Sequence, residues 1–452
     1  MPSARALPDS PLRACDLTSA IRLRDVVWDT DGQTVVWLEG RGDDSVVLCQ
    51  GEGDGAPREL TAGFSVRARV GYGGGDFTVS HGRLYFVNRG ERLFVRDLTA
   101  GRPLPLTPAF GRPAAPTVSR DGKWVVFVHT YEDVDRLAVT DSQGAHWPQS
   151  LVTGSDFYMQ PAWHPSGDRV AWIEWDHPSM PWDGTRLVLG NLSIAGESLP
   201  RLADTSVMAG AGDDEAVFQP EFSPDGRYLA YVSDRRGWSD VWLYDLETGG
   251  HRCLDEADGD VGMPAWIQGI RVIGFSADSR HLFFTQTAEG RRRAYSCPLE
   301  GGEPAPVEAL SAYTQVEQIT LSPNGESFAC IASSSEISPR VLSVRRDRIR
   351  IHARSTGESL RPEELSVPRP VDWTADNGDP VYGLYYHPAP TSDSEAQGPP
   401  PLIVHIHGGP TSQANAGFEA ELQYFATRGY AVVAVNHRGS TGYGRKYTQA
   451  LR

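Results

Sequence analysis

Cysteine is scarce in these 452 residues, and the five that occur, Cys15, Cys49, Cys253, Cys297 and Cys330, are odd in number, widely spaced and without a CxxC pair. That arrangement argues against a disulfide framework and a thiolate zinc site, and it fits a reducing compartment. Long hydrophobic runs are also missing. The longest are strand-length, as in YAVVAV, far below the ~20 residues of a membrane span, and MPSARALPDSPLRACDL lacks the apolar core of a signal peptide. The expectation is a cytoplasmic protein with no membrane partner. Positive charge is in deficit: 42 Lys and Arg face 58 Asp and Glu, a net charge of −16 that repels nucleic acid. Lysine is reduced to Lys123 and Lys446, so nearly all the basic charge is arginine, a bias given no functional weight. What remains, 40% hydrophobic and 22% charged, suits large packed cores.

Between Asp29 and Ser327 one pattern recurs: a polar turn of the type S-x-D-G, then alternating apolar residues. Its instances are DTDGQTVVWLE, VSHGRLYFVN, SRDGKWVVFVH, HPSGDRVAWIE, SPDGRYLAYVS, SADSRHLFFTQ and SPNGESFACIA. The turn marks fall at Gly32, Gly82, Gly122, Gly167, Gly226, Ser279, where the pattern departs, and Gly325. Asp or Asn with Gly supplies the positive φ of a tight turn, and the alternation behind it gives one apolar sheet face. A second reversal follows in RDLTAG, YDLETG, GNLSIAG and CPLEGG, so each unit reads as a four-stranded antiparallel meander. Four strands at this period mark a blade that must stack on its neighbours, and seven marks predict an all-β seven-bladed β-propeller rather than a β-sandwich. Trp37, Trp124, Trp172 and Trp242 are expected in the core between units, and His81, His129, His164 and His281 on the surface.

Near residue 361 the grammar changes, which places a boundary between an N-terminal unit, 1–360, and a C-terminal unit, 361–452. VDWTAD and PVYGLYYHP read as antiparallel strands, and PAPTSDSEAQGPPP as a polar connector. PLIVHIHGGP has the continuous apolar character of a buried central strand. FEAELQYFATRG follows, with Phe418, Leu422, Phe425 and Ala426 at helical spacing and Gly429 as stop signal, and YAVVAVNHRG is another strand. Strand, helix, strand is the βαβ unit of a parallel sheet, whose ligand sites lie beyond the carboxyl ends of the strands. HGGP and NHRGSTGYG stand at those ends.

In His407-Gly408-Gly409-Pro410 two residues lack side chains, so backbone N–H groups can approach a ligand and stabilise a developing oxyanion, as the glycine loop after the third strand does in α/β-hydrolases. Pro410 is expected to hold Gly409 extended. An H-x-H metal site at His405 and His407 is the rival, without a further ligand set at recognisable spacing; His405 reads instead as a hydrogen-bonded interior residue. His437 reads as structural or lining, Arg438 as a brace to a buried carboxylate rather than a substrate contact, and Ser440, in GST, lacks the elbow of a nucleophile.

Seven SPDG-type units followed by PLIVHIHGGP and NHRGSTGYGR resemble the prolyl oligopeptidase family of serine peptidases. HGGP, RGSTGYG and HPSMPWDGTRL are similar to its acylaminoacyl-peptidase and dipeptidyl-aminopeptidase-like branch. The resemblance implies a propeller followed by the N-terminal part of an α/β-hydrolase domain, with Gly409 N–H as oxyanion donor and Gly408 giving the loop its freedom. Arg438 to Gly444 would form the adjoining loop. It implies oligopeptide substrates, acylation of a Ser activated by His and Asp, and no metal or organic cofactor. No G-x-S-x-G occurs, however, so the triad is expected beyond Arg452 and the chain is expected to be inactive alone. A truncated peptidase accounts for this better than a natural remnant, because half a parallel sheet leaves a strand edge unpaired. The alternatives are a noncatalytic propeller that binds partners, and an esterase of the same fold. Oligomeric state is open.

Overall fold

The computed structural model describes residues 12–17, 20–89, 92–212, 214–256, 258–325, 327–357, 361–389 and 399–452. The side chain of Cys15, the N-terminal stretch before Leu12, residues 358–360 beside the expected boundary and residues 390–398 of the connector lie outside them.

The S-x-D-G turn closes on itself. Ser119 Oγ donates to Asp121 Oδ1 at 2.7 Å and accepts from Trp124 N at 2.9 Å, while Asp121 Oδ1 accepts from Lys123 N at 3.1 Å. Gly122 sits inside this knot at φ +73°, a conformation a β-carbon disfavours. The same bonds recur around Ser223–Asp225 and Ser276–Asp278. Ser279 takes φ +56° where the other turns have glycine, and its Oγ accepts from Asp225 N of the preceding turn at 3.1 Å, a contact that offsets the strain.

These turns join the first two strands of seven antiparallel four-stranded meanders. Five are separate sheets, and the C-terminal two are joined by one parallel pair, Arg292 with Gln315. Their first strands are Arg22–Trp28, Phe77–Ser80, Arg112–Val118, Phe157–Trp163, Val217–Phe222, Ile273–Phe275 and Gln315–Leu321. Each touches the next, and the last packs back against the first. Apolar layers fill the spaces between neighbours: Trp37 of the first meander is buried with Ala329, Ile331 and Val341 of the last. Trp124 and Trp172 are likewise buried, with Trp242 packed partly buried at the edge of a core. His129 and His164 are not surface residues as expected. Both are buried because their rings fill aromatic contacts, His164 against Phe222 and His129 against Phe110, while Nε2 bonds a backbone carbonyl, Gly226 O at 2.9 Å and Phe110 O at 3.2 Å.

Two loops cross the centre of this array. Residues 71–75 lead into the second meander and residues 266–272 into the sixth. Gly73 O accepts from Gln268 N, and Gly75 O from Ala115 N of the third meander, both at 2.8 Å. Tyr72 packs on Phe157 and Trp175 of the fourth. Gln219 Oε1 of the fifth meander accepts from Val272 N at 2.6 Å, and Gln318 Oε1 of the seventh from Arg271 N at 2.7 Å. Arg271 donates to Val26 O of the first at 2.6 Å and pairs with Asp25. The two loops thus touch every meander. Two cavities of about 810 Å³ each meet them from opposite sides, one on the side of the glycine turns and one on the side where the first strands begin.

The remaining sheet has the order Arg369–Thr374, Pro380–Tyr386, Ala431–Asn436, Leu402–Ile406. The first two strands are antiparallel, as expected, and Leu402–Ile406 runs parallel to Ala431–Asn436 with the helix Ala420–Ala426 between them. Gly429 follows the helix at φ +81°, and Leu422 and Ala426 are buried, whereas Phe418 precedes the first turn. One expectation is corrected: Leu402–Ile406 is an edge strand of this sheet, not a buried central one. Leu402, Val404 and Ile406 are 56%, 56% and 63% exposed because nothing among the described residues covers that face. No helix among the described residues is long and apolar enough to cross a membrane.

Candidate active site

The loop that leaves Leu402–Ile406 begins at His407. Its Nε2 lies 2.8 Å from Ser440 Oγ, its Nδ1 lies 2.9 Å from Gly408 O, and its ring stacks on His437 at 4.7 Å between centroids. Burial, with the adjacent His437 and His405, holds His407 below the ordinary imidazole pKa, so the ring is neutral and its Nε2 is free to accept from the serine hydroxyl. Ser440 is completely buried. His405 is not the hydrogen-bonded residue expected: its Nδ1 is buried without a hydrogen-bond partner, on an edge strand that provides no facing donor or acceptor. No group of three or more His, Cys, Asp or Glu side chains among the described residues is placed to hold a metal, so His405 and His407 have no third ligand there.

Gly408 and Gly409 are exposed, and among the described residues neither N–H donates to a protein acceptor. A β-carbon on Gly408 would meet open space. Gly409 departs from the extended geometry expected of a residue before proline: its φ is +132°, open to glycine alone, and a β-carbon there would come within 3.0 Å of Thr411 N. The loop needs this reversal to turn its amides outward while Thr411 is buried.

The second loop braces the first. Asn436, fully buried at the end of its strand, accepts from Ala414 N at 2.7 Å and returns Nδ2–H to Ala414 O at 3.1 Å, copying a strand pair with a side chain. Its Nδ2 also donates to Tyr443 OH, and Thr441 N donates to Ser412 O at 2.9 Å. Arg438 is a brace as expected, but to Asp379 in the exposed turn between Arg369–Thr374 and Pro380–Tyr386, not to a buried carboxylate. The rest of RGSTGYGR seats this sheet on the meanders. Gly444 N donates to the buried Asp260 carboxylate at 3.0 Å, Arg445 N to Gly237 O at 2.7 Å, and the Arg445 guanidinium pairs with Asp234 and donates to Asp183 O. Burial raises the Asp234 pKa to about 6 even with Arg445 beside it. From the meanders, Trp266 Nε1 donates to Thr411 O at 2.6 Å, two residues past Gly409.

Sequence reasoning singled out the two loops and missed Asn436, Trp266 and the Ser440–His407 contact. Asn436 begins NHRG and was open to inspection, whereas Trp266 lies 145 positions from its partner and carries no local signal.

The model of the prolyl oligopeptidase family matches residues 416–452. The uncharacterized peptidase YuxL of Bacillus subtilis is 28% identical over 222 residues, 47% of this chain and 33% of that protein. Dipeptidyl-peptidase 5 of Aspergillus fumigatus is 24% identical over 370 residues, 76% of this chain and 42% of that protein. The chain therefore matches between a third and about two fifths of the length of these relatives. Among solved structures, a Mycobacterium tuberculosis puromycin-hydrolyzing peptidase superposes with a TM-score of 0.88 and 27% identity over 99% of this chain and 71% of that one. By these matches and by the shared fold, the chain is similar to members of the prolyl oligopeptidase family.

Proposed function

We propose that this chain is the covering and anion-stabilising part of a serine-type peptidase that hydrolyses oligopeptides. In this reading the seven meanders, with the residues before them, form a seven-bladed β-propeller over 1–360, and 361–452 form the N-terminal part of an α/β-hydrolase domain. The return of the last meander onto the first supports the propeller, and the parallel pair with its intervening helix supports the hydrolase sheet.

One observation carries the chemistry. The Gly408 and Gly409 N–H groups are unengaged and exposed at the carboxyl end of a parallel strand, in a loop pinned by Asn436, Ser440 and Trp266. Donors fixed in advance and aimed outward stabilise the oxyanion of acyl transfer without reorganising. The reading requires that the attacking Ser, its His and its Asp come from polypeptide outside these 452 residues, since no G-x-S-x-G occurs within them and Ser440 is buried. A relative named dipeptidyl-peptidase 5 and a neighbour named a puromycin-hydrolyzing peptidase support the peptidase reading.

The test has two arms. Calorimetric titration of this chain with short peptides is expected to give saturable binding without hydrolysis, and the reading frame past codon 452 is expected to encode a Ser elbow, then Asp, then His. Hydrolysis by the chain alone, or a stop codon together with tight retention of protein partners, would overturn the proposal in favour of a different site or a noncatalytic module.

A further inference from the structure

The cavity on the strand-start side of the crossing loops, about 810 Å³, is lined by Arg24, Arg67 and Arg69, by the carboxylates Asp25 and Asp76, and by Tyr72, Ile267 and the glycines of the 71–75 loop. Among the described residues none of the three guanidinium groups has a hydrogen-bond or ion-pair partner. Other arginines of the meanders hold carboxylates: Arg41 pairs with Glu39 and Glu59, Arg83 with Asp97, and Arg271 with Asp25. The carboxylates within reach are already committed. Asp25 holds Arg271, and Asp76 accepts from Ala68 N at 2.6 Å and is buried. Arg24 is half-buried, and burial together with Arg22 and Arg67 pulls its pKa down against the opposing charge of Asp76, so the crowding of like charges outweighs that one carboxylate. In a chain of net charge −16, the three arginines outnumber the two carboxylates of this cavity, and Asp25 is already taken by Arg271.

The position of the cavity connects it to the candidate active site. Ile267 and Gln268 line it, and the residue before them, Trp266, donates to Thr411 O of the glycine loop. The cavity thus opens on the face where the C-terminal sheet is seated. Arginine is suited to this task because its planar fork matches a carboxylate and stays charged at any physiological pH.

We propose that Arg24, Arg67 and Arg69 form a subsite for a carboxylate of the bound peptide, either its free C-terminus or an acidic side chain. This rests on the peptide-binding reading above and deepens it: the preferred substrates are short peptides whose anionic end reaches from the glycine loop into this cavity.

The experiment is calorimetric titration of the 452-residue chain with three matched pentapeptides: a free acid, its C-terminal amide, and the amide with glutamate at the last position. The free acid is expected to bind about tenfold more tightly than the plain amide. If the glutamate amide recovers that affinity, an acidic side chain serves as well; if it does not, the terminus is the ligand. Arg24→Gln and Arg69→Gln are expected to erase the preference, and Arg69→Lys to keep part of it. Arg83→Gln, on the glycine-turn side, changes net charge equally and is expected to leave the preference intact. Equal binding of acid and amide, or equal loss of preference in Arg83→Gln, overturns the subsite while leaving the peptide-binding reading in place. Absence of binding by all three peptides overturns that reading, and the subsite with it.

Discussion

Ser440 Oγ sits 2.8 Å from His407 Nε2 across 33 positions of sequence, and it does so from complete burial. A serine so placed has no route to a substrate carbonyl; its hydroxyl fixes the tautomer and angle of the ring from which the glycine loop departs. Ser440→Ala is expected to remove the partner of the half-buried His407 ring and to cost about 1 kcal/mol in urea unfolding. A fluorophosphonate probe is expected to leave Ser440 unmodified in mass spectrometry, and a labelled Ser440 would assign it the wrong role here.

The Arg445–Asp234 pair is the charged part of the seat between the C-terminal sheet and the meanders, with both side chains nearly buried. Arg445→Met strands a carboxylate away from water, and the expected loss is on the order of 3 kcal/mol. Release of the seat would also break the contact from Trp266 to Thr411, so indole emission should shift in the same variant. Asp234→Asn combined with Arg445→Met is expected to regain part of the loss.

Asp240 is 2% exposed, its Oδ2 has no hydrogen-bond partner, and its pKa rises to about 7. Burial is the main cause, with Asp255 and Asp260 adding to it and Arg236 opposing it. In the unfolded chain the same group titrates near 4, approximately. Between these values the folded state holds the extra proton, so this group's contribution to stability falls as pH rises from the unfolded value to about 7. Asp240→Asn is expected to raise stability at pH 8 by on the order of 2 kcal/mol and to change little near pH 4. Melting curves at the two pH values decide it; an equal gain at both would remove ionisation from the explanation.

The crossing loops give a paired test at adjacent glycines. Gly73 and Gly74 have φ values of +56° and +71°, yet a β-carbon on Gly73 meets nothing within 4 Å while one on Gly74 meets Gln268 O at 2.6 Å. Gly73→Ala carries only the backbone strain, about 1 kcal/mol. Gly74→Ala adds a clash with backbone and is expected to cost at least about twice as much by thermal unfolding. Equal losses would mean that the two loops are not in contact.

The meanders were legible because each turn is a local device. Ser119, Asp121 and Gly122 satisfy one another within six residues, so the spacing of such turns reports the strands directly. Ser279 kept its place in the series because a neighbouring turn supplies Asp225 N to its hydroxyl, a contact no local pattern shows. The glycine loop was legible for the same local reason. What escaped were pairings set by the folded array: Trp266 reaching Thr411, Asn436 imitating a strand for Ala414, and two glycine-bearing loops meeting at the centre of the meanders. His129 and His164 were misplaced because their burial depends on Phe110 and Phe222, neither adjacent in sequence. Arginine, given no weight by composition, becomes informative only when Arg24, Arg67 and Arg69 are seen around one cavity without partners.

The central claim is that the Gly408 and Gly409 amides are held free and outward to meet a peptide. Site-resolved amide hydrogen exchange on the 452-residue chain, with glycine nitrogen labelled, tests it directly. Fast exchange at both positions in the free chain and protection at saturating oligopeptide is the predicted result. Slow exchange without peptide, or no change at saturation, would contradict the account.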